Sequence, residues 1–180
     1  MATPPPILGA IIAGGSARRF GSDKGAALLH GVALINYVAA ALRPQVAHVI
    51  IVGRDWAELE SIPDYPAPDL GPLGGLNAAL RYACAHGYAA VLTIGCDTMP
   101  VPPDLGLLLS NAPAVIANHY LFGYWPTTLA DALDSHLADQ TDRSMRHWMR
   151  VSGAREVAAP CPLHNLNTPT DLAAYAASSS

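Results

Sequence analysis

Basic residues are scarce in this chain. Lys and Arg total 10 against 14 Asp and Glu in 180 residues, a net charge of −4 with a pI near 5.9. A nucleic-acid backbone needs a broad basic surface to displace its counterions, so a nucleic-acid partner is excluded. Cysteine is nearly absent as well: Cys84, Cys96 and Cys161 form no C-x-x-C pair, which argues against a disulfide framework or a structural zinc site and for a reducing cytoplasm. Seven histidines, at 30, 48, 86, 119, 136, 147 and 164, show no H-x-x-x-H spacing, so a zinc or iron centre is not expected. No apolar run reaches the roughly 18 residues of a membrane span, and Met1 to Pro6 lacks the charged and apolar regions of a signal peptide. A soluble protein with no membrane association is the expectation.

What is abundant is apolar side chain, 51% of the sequence, enough for one substantial core. We expect a single domain over 1–180, with residues 1–6 and 177–180 as loose tails, the first rich in proline and the second ending in three serines. Between them, strand-like and helix-like segments alternate. Strands are predicted near 7–13, 48–53 and 89–96, and helices near 33–43, 55–61, 74–86 and 103–110, with a Pro/Asp loop at 63–72. Beyond residue 112 the pattern is less regular: a strand at 114–117, helices at 127–136 and 144–151, a strand at 155–158 and a closing helix at 170–176. Nearly continuous apolar runs such as Val49–Val52 suit buried parallel strands. The expected fold is a doubly wound three-layer α/β sandwich, Rossmann-like, with a mostly parallel central sheet. Ligands of such sheets collect where strands end at their carboxyl edge.

The most informative segment lies at that edge. After the apolar run Ile7 to Ile12 comes Ala13-Gly14-Gly15-Ser16-Ala17-Arg18-Arg19-Phe20-Gly21-Ser22-Asp23-Lys24. Glycines allow backbone amides to approach phosphate oxygens, and the basic residues can neutralise their charge. The spacing fits neither a Walker loop nor a G-x-G-x-x-G fingerprint, so the cradle is of another kind. Further motifs follow in order: Gly71-Pro72-Leu73-Gly74-Gly75, then Cys96-Asp97-Thr98 with Pro102-Pro103-Asp104-Leu105, then Asn165-Leu166-Asn167-Thr168-Pro169.

These four motifs, from about Leu8 to Leu172, resemble the nucleotidyltransferases that activate sugars and cofactors. Within them the chain is most similar to the molybdenum cofactor guanylyltransferases. It departs from their pattern at Ile12, Phe20 and Val52-Gly53. The resemblance implies GTP and molybdopterin (or molybdenum cofactor) as substrates, Mg2+ as the metal, and cofactor-delivery or acceptor proteins as further partners. It places Arg19 and Lys24 on the triphosphate, Asp97 on magnesium, Asp64 on guanine, and Asn165 and Asn167 on the pterin side. It also places Ile12 in the nucleotide pocket, which loop amides from Ala13 and Gly14 to Gly15 complete.

Each assignment has a plainer rival. Arg18, Arg19 and Lys24 could be solvated charges, and Asp97 could cap a turn. Asp64 can accept two hydrogen bonds from guanine N1–H and its amino group, yet Asp69 lies in the same loop. Asn165 and Asn167 alternate across Leu166, so an extended segment would aim both amides one way, while Thr168 or Thr170 could cap the last helix with Pro169 in its first turn. The stretch 141–148 offers basic and aromatic groups for an anionic pterin phosphate, or simply begins a surface helix. Cys96 reads as a small filler, and Trp56, Trp125 and Trp148 as packing residues. Two other functions remain open at this point: cytidylyl or sugar-phosphate nucleotidyl transfer, and a non-catalytic nucleotide-binding paralogue.

Overall fold

The computed structural model describes residues 5–14, 24–110, 113–139 and 142–178, with the Lys24 side chain left aside. Arg18, Arg19, Gly15 and the rest of the glycine loop through Asp23 lie outside the described residues.

Along the chain, β1 (Ile7–Ile12) precedes a small hairpin of β2 (Leu28–Leu29) and β3 (Val32–Ala33), then α1 (Leu34–Leu42), β4 (His48–Val52) and β5 (Glu60–Ile62). Next come α2 (Pro72–Ala85), β6 (Ala90–Gly95), β7 (Thr98–Met99), α3 (Leu105–Leu109), β8 (Ala114–Ile116) and β9 (His119–Pro126). The chain closes with α4 (Ala130–Asp139), α5 (Met145–Val151), β10 (Arg155–Val157), β11 (His164–Asn165) and α6 (Pro169–Ser178). Seven strands form one sheet in the order β10-β8-β9-β6-β1-β4-β5. Strands β5, β4, β1 and β6 are mutually parallel, β8 and β10 are parallel, and β9 runs antiparallel to both β6 and β8. The sheet is mostly parallel, with helices on both faces.

Strand alternation explains the two cores. Leu8, Ala10 and Ile12 of β1, with Ile50 and Val52 of β4, point toward α2, α4 and α5. Ile11, Val49 and Ile51 point the other way, toward α1 and α3, with Leu172 and Tyr175 of α6 packed alongside. Because both faces are covered, the inner strands need apolar residues at every position, which is why their sequences read as unbroken runs. On α1 the buried residues Leu34, Ile35, Val38, Ala39 and Leu42 form one stripe.

Several predicted elements need correction. Residues 55–61 are not a helix: after a turn in which Leu59 N–H bonds to the Trp56 carbonyl, the chain enters the edge strand β5. The Trp56 N–H donates to Ser61 Oγ and its ring N–H to Asn36 Oδ1, contacts that favour the extended return over a helical turn. The antiparallel strand β9 is an addition. Its Trp125 is fully buried and donates to Thr93 Oγ1 at 3.0 Å, while Thr93 Oγ1 donates to the Gly123 carbonyl. Residues 177 and 178, expected in a loose tail, belong to α6, and Pro6, expected in the other, is tied down by a bond from the Ala89 N–H to its carbonyl. Helix α2 starts at Pro72, two residues earlier than predicted: Gly71 takes φ +67°, and proline suits the first helical position.

Candidate active site

Register fixes where the chemistry gathers. Ile12 pairs with Val52 on one side and Gly95 on the other, so β1, β4 and β6 end level. The Ala13 N–H extends the ladder by donating to the Val52 carbonyl at 3.0 Å, and Gly53 N–H donates to the Ile62 carbonyl. Ala13-Gly14, where the glycine loop begins, and Asp97, two residues past Gly95, therefore leave the sheet from one rim.

On one side of that rim, Asp64 lies against three glycines. A Cβ on Gly14 would stand 3.0 Å from Asp64 Oδ2, and Cβ atoms on Gly53 and Gly75 would stand 3.1 and 3.4 Å from Asp64 Oδ1. Bare backbone at these positions makes room for the carboxylate. Asp64 Oδ1 is buried and has no hydrogen-bond partner among the described residues. Burial, and secondarily the negative Asp69 nearby, push the Asp64 carboxyl above its usual range. A half-buried acid without donors of its own is arranged to receive them from a ligand. Asp69, in contrast, is an exposed turn residue at φ +63°. The loop is held by the Tyr65 N–H bonding to the Gly74 carbonyl, and by Asn77, whose side-chain amide donates to the Tyr65 carbonyl at 3.5 Å and to Asp134 of α4.

On the other side, Asp97 enters a cleft of about 210 Å³ with Thr98, Asn165, Asn167 and the start of β9. Thr98 Oγ1 lies 2.8 Å from Asn165 Oδ1 and 3.3 Å from Asp97 Oδ1. Backbone pairing locks the arrangement: β11 lies antiparallel to β7, and the Leu166 N–H donates to the Asp97 carbonyl at 2.7 Å. Leu166 is buried between Asn165 and Asn167, and both amide-bearing residues line the cleft. Thr168 caps α6, accepting from the Asp171 N–H, while Asp171 Oδ2 accepts from the N–H groups of Asn167 and Thr168. Site lining and capping thus coexist in one segment. Cys96 is half-buried against the apolar layer beneath.

Of the residues selected from sequence, Ile12, Ala13, Gly14, Asp64, Asp97, Asn165 and Asn167 are brought to this rim. Lys24, which follows the glycine loop in sequence, opens a short 3-10 turn, Lys24–Ala26. Gly15 and Arg19 lie outside the described residues. Sequence reasoning missed His119 and Tyr120, which line the cleft because β9 was not foreseen, and Asn118 beside them at φ +64°. An Asn-His pair after a short apolar strand was the available signal, since Asn tolerates the left-handed turn that starts a hairpin. It also missed Arg54, whose guanidinium packs over the Trp56 ring and against the position a Gly25 Cβ would take.

Among the described residues no three His, Cys, Asp or Glu side chains converge on one point. The oxygen donors of Asp97, Thr98 and Asn165 suit a hard cation such as magnesium, which completes its shell with water and phosphate oxygens. No helix among the described residues is long and apolar enough to cross a membrane.

Residues 9–157 match the family described as the MobA-like NTP transferase domain. A molybdenum cofactor guanylyltransferase from Rhodobacter capsulatus is 36% identical over 182 residues, covering 93% of each chain. One from Rhizobium leguminosarum bv. trifolii is 34% identical over 188 residues, covering 93% of this chain and 90% of that protein. Among solved structures, molybdopterin-guanine dinucleotide biosynthesis protein A from Archaeoglobus fulgidus superposes with a TM-score of 0.75 at 22% identity, covering 96% of this chain and 98% of that one.

Proposed function

We propose that this chain, which belongs to the MobA-like NTP transferase family and is a nucleotidyltransferase, transfers GMP from GTP to the phosphate of molybdopterin. The products are the guanine dinucleotide form of the cofactor and pyrophosphate. The names of the relatives support the substrates, and the buried, donor-seeking Asp64 supports the choice of base. Guanine offers N1–H and an amino group to one carboxylate; cytosine and adenine offer no such adjacent pair.

In the reaction, an oxygen of the acceptor phosphate forms a bond to the α-phosphorus as the bond from that phosphorus to the bridging β-oxygen breaks. The nucleophile is already ionised, so no general base is required. Positioning and charge neutralisation carry the rate. Because the Ala13 N–H is committed to the Val52 carbonyl, the loop amides left to hold phosphate oxygens are those of Gly14 and Gly15; Arg19 and Lys24 neutralise the triphosphate, and Asn165 and Asn167 orient the acceptor. Asp97 would hold Mg2+, which supplies charge stabilisation at the phosphates when bound. A cytoplasmic setting fits a chain with three cysteines and no C-x-x-C pair.

The decisive experiment is pyrophosphate release with molybdopterin and Mg2+, in separate reactions with GTP, CTP and UTP, with the dinucleotide product identified by mass. Preference for GTP is expected; preference for CTP would assign cytidylyl transfer instead.

A further inference from the structure

Asp97 and the incoming acceptor phosphate are both anionic, and they must share one cleft. The described lining of that cleft contains amides, a hydroxyl, His119, Tyr120 and apolar side chains, and neither lysine nor arginine. Beyond the Mg2+ that Asp97 would hold, this lining offers a second phosphate no cationic side chain, and an unpaired buried anion is costly. The cation at hand is on the neighbouring helix: α5 sets the Arg146 guanidinium over the Tyr120 ring, 5.8 Å from its centroid. Tyr120 itself is half-buried against the core layer that includes Trp148 and Met149, so the ring is a fixed platform. Arg146 is exposed.

From this juxtaposition we infer that Arg146 binds the phosphate of the acceptor, with Tyr120 as its positioning residue. The inference rests on the guanylyl-transfer reading and adds the residue that recognises the second substrate. A cation–π contact engages the flat face of a guanidinium, whereas a phosphate takes its N–H edge, so one side chain can do both at once. Lysine, a point charge without that planar edge, is a poor substitute. The contact draws on β9 and α5 together.

The test varies acceptor and GTP separately in wild type, Arg146→Gln, Arg146→Lys, Tyr120→Leu and Tyr120→Phe, and titrates molybdopterin directly into each protein without GTP. Arg146→Gln is expected to raise the acceptor KM and dissociation constant about tenfold, the effect of losing a charged hydrogen bond, with the GTP KM within about twofold of wild type. Arg146→Lys should recover part of the loss, Tyr120→Leu should reproduce it, and Tyr120→Phe should restore acceptor binding because it keeps the ring. Acceptor affinity unchanged in Arg146→Gln, or GTP and acceptor affinities lowered equally, would overturn the role of Arg146 while leaving guanylyl transfer standing. A wild-type protein that neither binds molybdopterin nor transfers GMP to it would overturn both. Matched thermal melting of each variant separates loss of contact from loss of fold.

Discussion

Gly53 and Gly14 pass so close at the sheet rim that a Cβ on Gly53 would stand 2.6 Å from the Gly14 Cα. Gly53 also adopts φ +85°, where an L side chain costs about 1–2 kcal/mol before any contact is counted. The glycine that departs from the family pattern is therefore demanded by this chain's own geometry. Gly53→Ala should push Gly14 off the rim and crowd Asp64, lowering the melting temperature and weakening GTP binding by about tenfold or more. Thermal denaturation and a GTP titration check both effects, and unchanged GTP affinity would show that the contact is not part of the nucleotide site.

Asp64 gives the rim a pH dependence. Burial raises its carboxyl pKa in the folded protein, so between the ordinary aspartate value and the raised one the folded state holds the extra proton. Stability of the ligand-free protein should fall as pH rises through that window, whereas GTP binding, for which the proposed guanine contact requires the ionised carboxylate, should strengthen. Asp64→Asn should flatten both dependences, stabilise the ligand-free protein at neutral pH and reduce GTP affinity at least about tenfold, since hydrogen bonds to a charged group are lost. Denaturation and GTP titrations across the acidic range would reveal parallel trends if the reasoning were wrong.

The rim itself was legible in sequence because its causes are local. Unbroken apolar runs marked β1, β4 and β6, glycine and acid motifs past the ends of β1 and β6 marked the loops, and the Asn-x-Asn motif marked the segment at β11. What escaped was set by partners distant in sequence. In β9, Tyr120, Phe122 and Trp125 give no clean alternation, because a bulge near Val115 shifts the register and Trp125 is satisfied by Thr93 from another strand. Residues 55–61 carry helix-forming Ala57, Leu59 and Glu60, yet edge pairing with β4 and the Tyr82 hydroxyl bonded to Glu60 draw the end of the segment into a strand. The convergence of Asp64 on Gly14, Gly53 and Gly75 could not be read from spacing, since it depends on how α2 packs over β1.

Lys24 is the only lysine of the chain, so amine chemistry can address it almost alone. Lys24→Ala and Asp97→Ala should each lower turnover at least about tenfold, equivalent to roughly 1.4 kcal/mol of transition-state stabilisation. Acylation of Lys24 by an amine-reactive reagent, followed by peptide mass analysis, should be slowed by GTP with Mg2+. Unchanged turnover in both variants would remove these residues from the mechanism, and unprotected acylation would place Lys24 away from the triphosphate.

On the far side of the sheet from α1, His136 of α4 is buried and stacks on His147 of α5 with ring centroids 5.3 Å apart; Trp148 lies at the same distance. Its Nε2 is buried without a hydrogen-bond partner among the described residues. Desolvation first, and the neighbouring His147 second, lower the His136 pKa, while the backbone and carboxylate of Asp142 oppose that shift. The neutral ring is thus the folded form. Because the unfolded chain takes up a proton at higher pH than the folded one, stability is complete above the ordinary histidine pKa and declines as pH falls toward the depressed value. Denaturant unfolding at about pH 7.5 and about pH 5.5 should therefore show a loss of stability on acidification, with the melting of α4 and α5 reported by tryptophan emission. His136→Phe keeps a ring against Trp148 but removes the titrating group, so it should reduce the difference between the two pH values. An undiminished pH difference in that variant would assign the acid sensitivity to groups elsewhere in the protein.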